Sequence, residues 1–138
     1  MARILVVDDD HAIRTVAKTV LELNGHEAVI AEDGRAGLRK IENENYDLLI
    51  VDIFMPGMDG LETIKLVNER KPGLPIIVIS GLSFRSATGA PPDFLSMATK
   101  LGAMRSLQKP FRSQELLSAV EECLQDSAGT AREQSRGR

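Results

Sequence analysis

The sequence predicts an α/β domain in which one parallel sheet is covered by helices on both faces. Three observations predict it. Strand-like runs alternate regularly with segments of helical period. The strand runs, above all "DLLIVD" and "PIIVIS", are apolar without interruption, as suits strands buried on both faces. The residues best suited to chemistry fall at the carboxyl ends of those runs, where open α/β sheets bind ligands.

The strands are expected at Arg3–Val7, Glu27–Ala31, Asp47–Val51, Ile76–Ile79 and Ala103–Leu107. The first helix, about His11–Leu23, has Asp10 as N-cap and a stripe of Ile13, Val16, Ala17, Val20 and Leu21, and Asn24-Gly25 ends it. A second helix, about Arg35–Asn43, turns Ala36, Leu38 and Ile41 inward. The third, about Leu61–Arg70, is stopped by Pro72-Gly73.

The fourth connection is irregular. Gly81, Gly89 and Pro91-Pro92 punctuate a loop longer than most βα connections, and a helical stripe of Phe94, Leu95, Ala98 and Leu101 begins only near Pro92. The last helix, about Gln114–Gln125, follows Ser113 as N-cap and carries Leu116, Leu117, Val120 and Leu124. Residues 1–126 are thus expected to form one domain. Residues 127–138, "SAGTAREQSRGR" after Asp126, lack an apolar stripe and read as a flexible C-terminal tail, with no second domain or linker.

Bulk properties narrow the function. The 138-residue length allows one domain with a sizeable core, and the 43% apolar content with few aromatics makes that core mainly aliphatic. A net charge of −3 with interspersed signs offers no basic field for nucleic acid. No apolar run is long enough to span a membrane and no signal peptide is evident, so a cytoplasmic protein is expected. The lone Cys123 lies in helical register with Leu116, Val120 and Leu124 and reads as core. His11 and His26 have no metal-ligand spacing and read as surface residues.

The stretch "LVVDDDHAIR" places Asp8, Asp9 and Asp10 side by side at the end of a strand, where their charges repel unless a cation compensates them. The third strand delivers Asp52 to the same rim, the fourth Ser80, and the fifth Lys109 followed by Pro110. Carboxylates, a hydroxyl and an ammonium on one rim suit a hard divalent cation such as Mg²⁺ together with a phosphoryl group. Taken singly, Asp8–Asp10 also suit a solvated helix N-terminus, Asp52 a strand-end cap and Lys109 a surface lysine.

"ILVVDDD", "DLLIVDIFMPGMDG", "PIIVIS" and "LQKPF" resemble the signatures of the receiver domain of two-component response regulators, over about Arg3–Leu124. The resemblance implies a flavodoxin-like, doubly wound five-stranded parallel sheet in the order 2-1-3-4-5. It implies that Asp52 accepts the phosphoryl group, that Asp8 and Asp9 hold Mg²⁺, and that the backbone carbonyl of Phe54 completes the metal site. Ser80 and Lys109 are implied to bond phosphoryl oxygens, with a cis Lys109-Pro110 bond aiming the ammonium at the site. Met55-Pro56-Gly57 is expected to turn the chain after Asp52, Gly57 being free to take positive φ. The implied partner is a sensor histidine kinase or a histidine phosphotransfer protein, and the implied role is a single-domain response regulator that acts through a downstream protein or as a phosphorelay.

The sequence also departs from the family pattern. Many receivers carry a switch tyrosine or phenylalanine three residues before the lysine, where this chain has Ser106, which puts the usual coupling to the surface of the fourth and fifth helices in question. Phe84 in the long loop over 81–92 is a candidate substitute. Receivers often orient a hydrolytic water with polar side chains two positions after the acceptor and two after the serine, and here those positions are the apolar Phe54 and Leu82. Two alternatives stand beside this reading. One is a small phosphatase of the haloacid dehalogenase type, suggested by Asp8-x-Asp10, although Ala12 departs from its motif and the chain is short for a cap domain. The other is a degenerate receiver that only scaffolds a partner.

Overall fold

The computed structural model describes residues 2–55, 60–81 and 104–136, with the main chain alone for 81 and 127–136. Five strands alternate with helices: β1 (Arg3–Val7), α1 (His11–Leu23), β2 (Glu27–Ala31), α2 (Gly34–Asn43), β3 (Leu48–Asp52), α3 (Gly60–Arg70), β4 (Ile76–Gly81), β5 (Arg105–Lys109) and α4 (Ser113–Arg136). All pairings are parallel and the sheet order is β2-β1-β3-β4-β5. This is the doubly wound order expected from the resemblance.

Strand alternation sorts the core into two layers. Ile4, Val6, Ile50, Ile77 and Ile79 face one side and pack with Ala17 and Leu21 of α1 and Leu116, Val120 and Cys123 of α4. Leu5, Val7, Leu49, Val51 and Val78 face the other side and pack with Leu38 and Ile41 of α2 and Ile64 and Val67 of α3. Burying both strand faces in this way is what the uninterrupted apolar runs required. Cys123 is buried among these side chains, and burial pushes its thiol pKa up.

Local signals act as read in several places. Asp10 caps α1, its carboxylate accepting from the Ala12 and Ile13 N–H groups, and Asp33 caps α2 by accepting from Ala36 N–H. Gly25 and Gly73 take positive φ, +87° and +91°, in the turns that leave α1 and α3.

Other expectations need correction. β3 and β5 lie one and two residues later than read, so that Asp52 and Lys109 are the last residues of their strands. Val16 is 49% exposed, because α1 covers the sheet with Ala17 and Leu21 and the apolar stripe is narrower than its sequence. His26 is buried rather than superficial: its Nδ1 accepts from Ala2 N–H at 3.1 Å and its Nε2 lies 3.4 Å from a Glu121 carboxylate oxygen. Ser113 is the first helical residue of α4, and the Glu115 carboxylate instead accepts from the Arg112 N–H at 2.9 Å. The same helix runs on to Arg136, well past the end expected near Gln125. Once a helix is nucleated each further residue adds a hydrogen bond, so Ala128, Ala131, Arg132, Glu133 and Gln134 extend it without any apolar stripe and in spite of Gly129 and Thr130.

The expected helix beyond Pro92 with Phe94, Leu95, Ala98 and Leu101, the loop residues Leu82 and Phe84, and Pro56-Gly57 lie outside the described residues.

Candidate functional site

β1 and β3 are adjacent, and their register pairs Val7 with Val51, so the chain leaves both strands with Asp8 beside Asp52. The sheet order reverses between these same two strands, the place where such sheets open a crevice. β4 pairs Ile79 with Asp52, so Ser80 lies one residue further along the rim, and Gly81 pairs with Lys109 at the end of β5. Short-range packing within each strand thus has no say in the site; the register of four strands assembles it.

Asp8 and Asp52 are buried, at 0% and 3% exposure, whereas Asp9 is exposed. Carboxylate oxygens of the three lie within 4.8 Å of one another. Lys109 bridges the two buried ones, its Nζ standing 3.0 Å from Asp8 Oδ2 and 3.0 Å from Asp52 Oδ2. Its peptide bond to Pro110 is cis, as expected. Ser80 is buried on the same rim, joined to this cluster by strand register. Structure therefore brings Asp8, Asp9, Asp52 and Lys109 into one cluster and sets Ser80 alongside it.

Main-chain groups hold the carboxylates. Asp52 Oδ1 accepts from Phe54 N–H at 3.0 Å, and Asp8 Oδ1 accepts from Asp10 N–H at 2.9 Å. Burial and the charge of Asp8 push the Asp52 carboxyl up to about 6, against the opposing pull of Lys109. Burial alone lowers Lys109, but its bonds to Asp8 and Asp52 outweigh that, and its pKa is raised overall. The ammonium therefore stays charged.

The donor set fits a hard divalent cation. It is made of oxygen only, and among the described residues one ammonium offsets three carboxylates. Asp8 Oδ2, moreover, is buried and makes no hydrogen bond; the 3.0 Å contact to Lys109 is an ion pair without hydrogen-bond geometry. A buried carboxylate oxygen left with spare capacity is what a metal ligand requires.

Asp10 is committed elsewhere, since its exposed carboxylate caps α1. That leaves it unsuited to the acid–base role that a dehalogenase-type phosphatase would ask of it. Ser106 is exposed on β5, so this position carries no buried switch side chain. In a separate cleft at the opposite, amino end of the sheet, lined by Glu44, Tyr46, Asp47, Arg70 and Lys71, Arg70 pairs with Glu42 and Glu44 with Arg3.

Two residues near the site escaped the sequence reading. Gly60, at the start of α3, donates its N–H to the Ile53 carbonyl at 2.8 Å and so closes the chain back on the residue after Asp52. Arg14 of α1 donates from Nη1 to the Asp8 carbonyl at 2.7 Å. A signal existed for Arg14, because a cation in the first turns of a helix opposes the helix dipole and calls for a compensating acceptor.

Residues 4–121 match the family model described as the response regulator receiver domain. Over 135 residues the chain is 33% identical to the transcriptional regulatory protein GlrR of Escherichia coli, an alignment covering 98% of this chain and 29% of that protein. It is 37% identical over 119 residues to the response regulator protein FleR of Pseudomonas aeruginosa, covering 86% and 24%. The chain therefore spans well under half the length of these two relatives. Among solved structures, a CheY-like receiver domain protein from Methanospirillum hungatei is similar with a TM-score of 0.85 at 33% identity, covering 94% of this chain and 98% of that one. The receiver domain of NtrX from Brucella abortus gives 0.79 at 31%, covering 88% and 98%.

Proposed function

The chain belongs to the response regulator receiver domain family of two-component systems, and from that premise we propose that Asp52 is its phosphoryl acceptor in a Mg²⁺-dependent reaction. The observation that carries this reading is the convergence of Asp8 Oδ2 and Asp52 Oδ2 on Lys109 at 3.0 Å each, the Asp8 oxygen being buried and making no hydrogen bond beyond that ion pair.

The donor is the phosphohistidine of a sensor histidine kinase or of a histidine phosphotransfer protein. An Asp52 carboxylate oxygen attacks phosphorus and forms a P–O bond, while the P–N bond breaks and its electron pair leaves with the imidazole. Asp52 must be ionised to attack. With its carboxyl pushed up to about 6, it is largely ionised at neutral pH and more basic than a solvated aspartate. The Phe54 N–H bond on Oδ1 fixes the orientation of the carboxylate, and Oδ2, which accepts from Lys109 at 3.0 Å, is in this reading the attacking oxygen, freed as the ammonium turns to the phosphoryl group. Lys109 stands on the rim as a charged donor, and in this reading it bonds one phosphoryl oxygen and the Ser80 hydroxyl another.

Asp8, Asp9, Asp52 and the Phe54 carbonyl would hold the Mg²⁺. When bound, the ion supplies positive charge against the phosphoryl oxygens. The protein is in this reading a phosphoacceptor that assists its own phosphorylation and dephosphorylation rather than an enzyme with turnover on a substrate. It signals by binding a downstream protein or by passing the group on. Among the described residues no helix is long and apolar enough to cross a membrane, and in this reading the protein works in the cytoplasm.

Treatment with acetyl phosphate and Mg²⁺, followed by mass spectrometry of peptides, tests the assignment. The expected mass increase of one phosphoryl group falls on Asp52 and is lost in Asp52→Asn or on chelation. Labelling that persists in Asp52→Asn but disappears in Asp8→Asn overturns the assignment and favours the phosphatase alternative; absence of labelling with retained partner binding favours a scaffold.

A further inference from the structure

Arg14 sits in an electrostatically unfavourable place, one turn into α1, where the helix dipole presents positive charge. Its contacts show what holds it there. Nη1 donates to the main-chain carbonyl of Asp8 at 2.7 Å, and Nη2 lies 3.5 Å from His11 Nδ1. Asp8 is thereby fixed at every polar group but one: its N–H donates to the Ala31 carbonyl at 3.2 Å, its carbonyl accepts from Arg14, and its Oδ1 accepts from the Asp10 N–H. The remaining group is Oδ2, buried and without a hydrogen bond, on the side of the cluster where Asp52 and Lys109 lie.

We propose that Arg14 is a positioning residue for the metal site: by gripping the Asp8 carbonyl it fixes the Asp8–Asp9 peptide so that both carboxylates are presented to one cation. The peptide at this point has just left the ladder of β1 and, among the described residues, has no further strand partner on its carbonyl side, so the guanidinium takes over the role of the sheet. Groups that orient metal ligands in this way commonly matter for affinity about as much as weak ligands do. The inference rests on the Mg²⁺ reading given above.

Charge and positioning make opposite demands here, which gives the test its sign. A guanidinium close to the site repels a divalent cation, so removing its charge with no loss of order tightens Mg²⁺ binding. Removing its grip on Asp8 loosens the ligands and weakens binding. A purely structural role alters the stability of the metal-free protein and leaves the affinity of the folded protein unchanged.

Wild type, Arg14→Gln and Arg14→Lys of the full chain, titrated with MgCl₂ by isothermal calorimetry, separate these demands, with urea unfolding in chelator run alongside. Arg14→Gln is expected to bind Mg²⁺ about tenfold more weakly, with its metal-free unfolding midpoint close to wild type. Arg14→Lys, which keeps the charge and one donor, is expected to fall between the two. Equal or tighter binding by Arg14→Gln overturns the proposal, and so does a loss of metal-free stability with unchanged affinity. If wild type itself takes up no Mg²⁺, it is the metal reading that fails, whereas binding by wild type with no loss in Arg14→Gln sinks the role of Arg14 alone.

Discussion

Gly60 and Asp52 approach so closely that a Cβ on the glycine falls 2.2 Å from the Asp52 carbonyl oxygen and 2.4 Å from the Ile53 Cα. Both are main-chain atoms that no rotamer change can move aside. α3 therefore begins directly against the peptide of the proposed phosphoryl acceptor, and only a residue without a side chain permits it. Gly60→Ala is expected to cost about 1–3 kcal/mol and to displace Asp52, slowing its labelling by acetyl phosphate. Val67→Ala, a buried change further along the same helix, serves as control: it is expected to destabilise by about 2 kcal/mol without altering labelling per folded molecule. Equal labelling in the two variants, after correction for the folded fraction, would refute the coupling.

Burial of Asp52 makes stability depend on pH in the metal-free protein. Its carboxyl is raised from 3.8 to about 6, mainly by burial and then by Asp8, so the native state holds the proton more tightly than the unfolded chain. Stability from this group is fully present below about pH 4 and is lost as pH rises through about 6, a loss on the order of 2–3 kcal/mol. Asp52→Asn, which cannot ionise, is accordingly expected to be the more stable protein at pH 7 in chelator, with the difference from wild type shrinking toward pH 4. Urea unfolding of both at several pH values checks this. A difference that does not vary with pH excludes Asp52 as the titrating group.

Lys109 neutralises part of a buried acidic pair, and its removal leaves Asp8 and Asp52 facing each other. Lys109→Ala is expected to lose about 2–4 kcal/mol without metal and to gain more thermal stability from added Mg²⁺ than wild type does, because the ion replaces the missing positive charge. Mg²⁺ affinity should be retained or tightened, since the ion takes oxygen ligands and no longer competes with the ammonium. Melting curves with and without Mg²⁺ decide the point. A drastic fall in affinity would mean that Lys109 organises the ligands as well as opposing their charge.

The Phe54 side chain is half-buried against the layer formed by Leu5, Val7 and Leu49. An aromatic ring cannot orient a water molecule for attack on a phosphoryl group, and it can exclude one. The phosphorylated protein is expected to be long-lived, and Phe54→Asn with Leu82→Glu is expected to hydrolyse about ten- to a hundredfold faster, equivalent to about 1.4–2.7 kcal/mol of barrier. Decay of the labelled form after donor removal measures it. Rapid decay in wild type, or no acceleration in the variant, counts against a sustained signal.

The sequence by itself determined the elements and the ends at which chemistry sits. Uninterrupted apolar runs marked strands buried on both faces, and Asp10, Asn24-Gly25 and Pro72-Gly73 marked helix ends, because capping and turn formation are decided within a few residues. Asp8, Asp9, Asp52, Ser80 and Lys109 were legible as a set through their places at strand ends and through the motifs around them. Tertiary structure decided what depends on distance across the chain. The pairing of Asp8 and Asp52 on a single ammonium follows from strand register, and the lack of a hydrogen bond on Asp8 Oδ2 from burial. The grip of Arg14 on a carbonyl six residues earlier, the burial of His26 between Ala2 and Glu121, and the closeness of Gly60 to Asp52 each arise where segments meet at angles fixed by packing. Periodicity reports which face of a segment is apolar; it carries no information about which atoms of another segment will stand opposite, and it is those that turn a row of strand-end residues into a site.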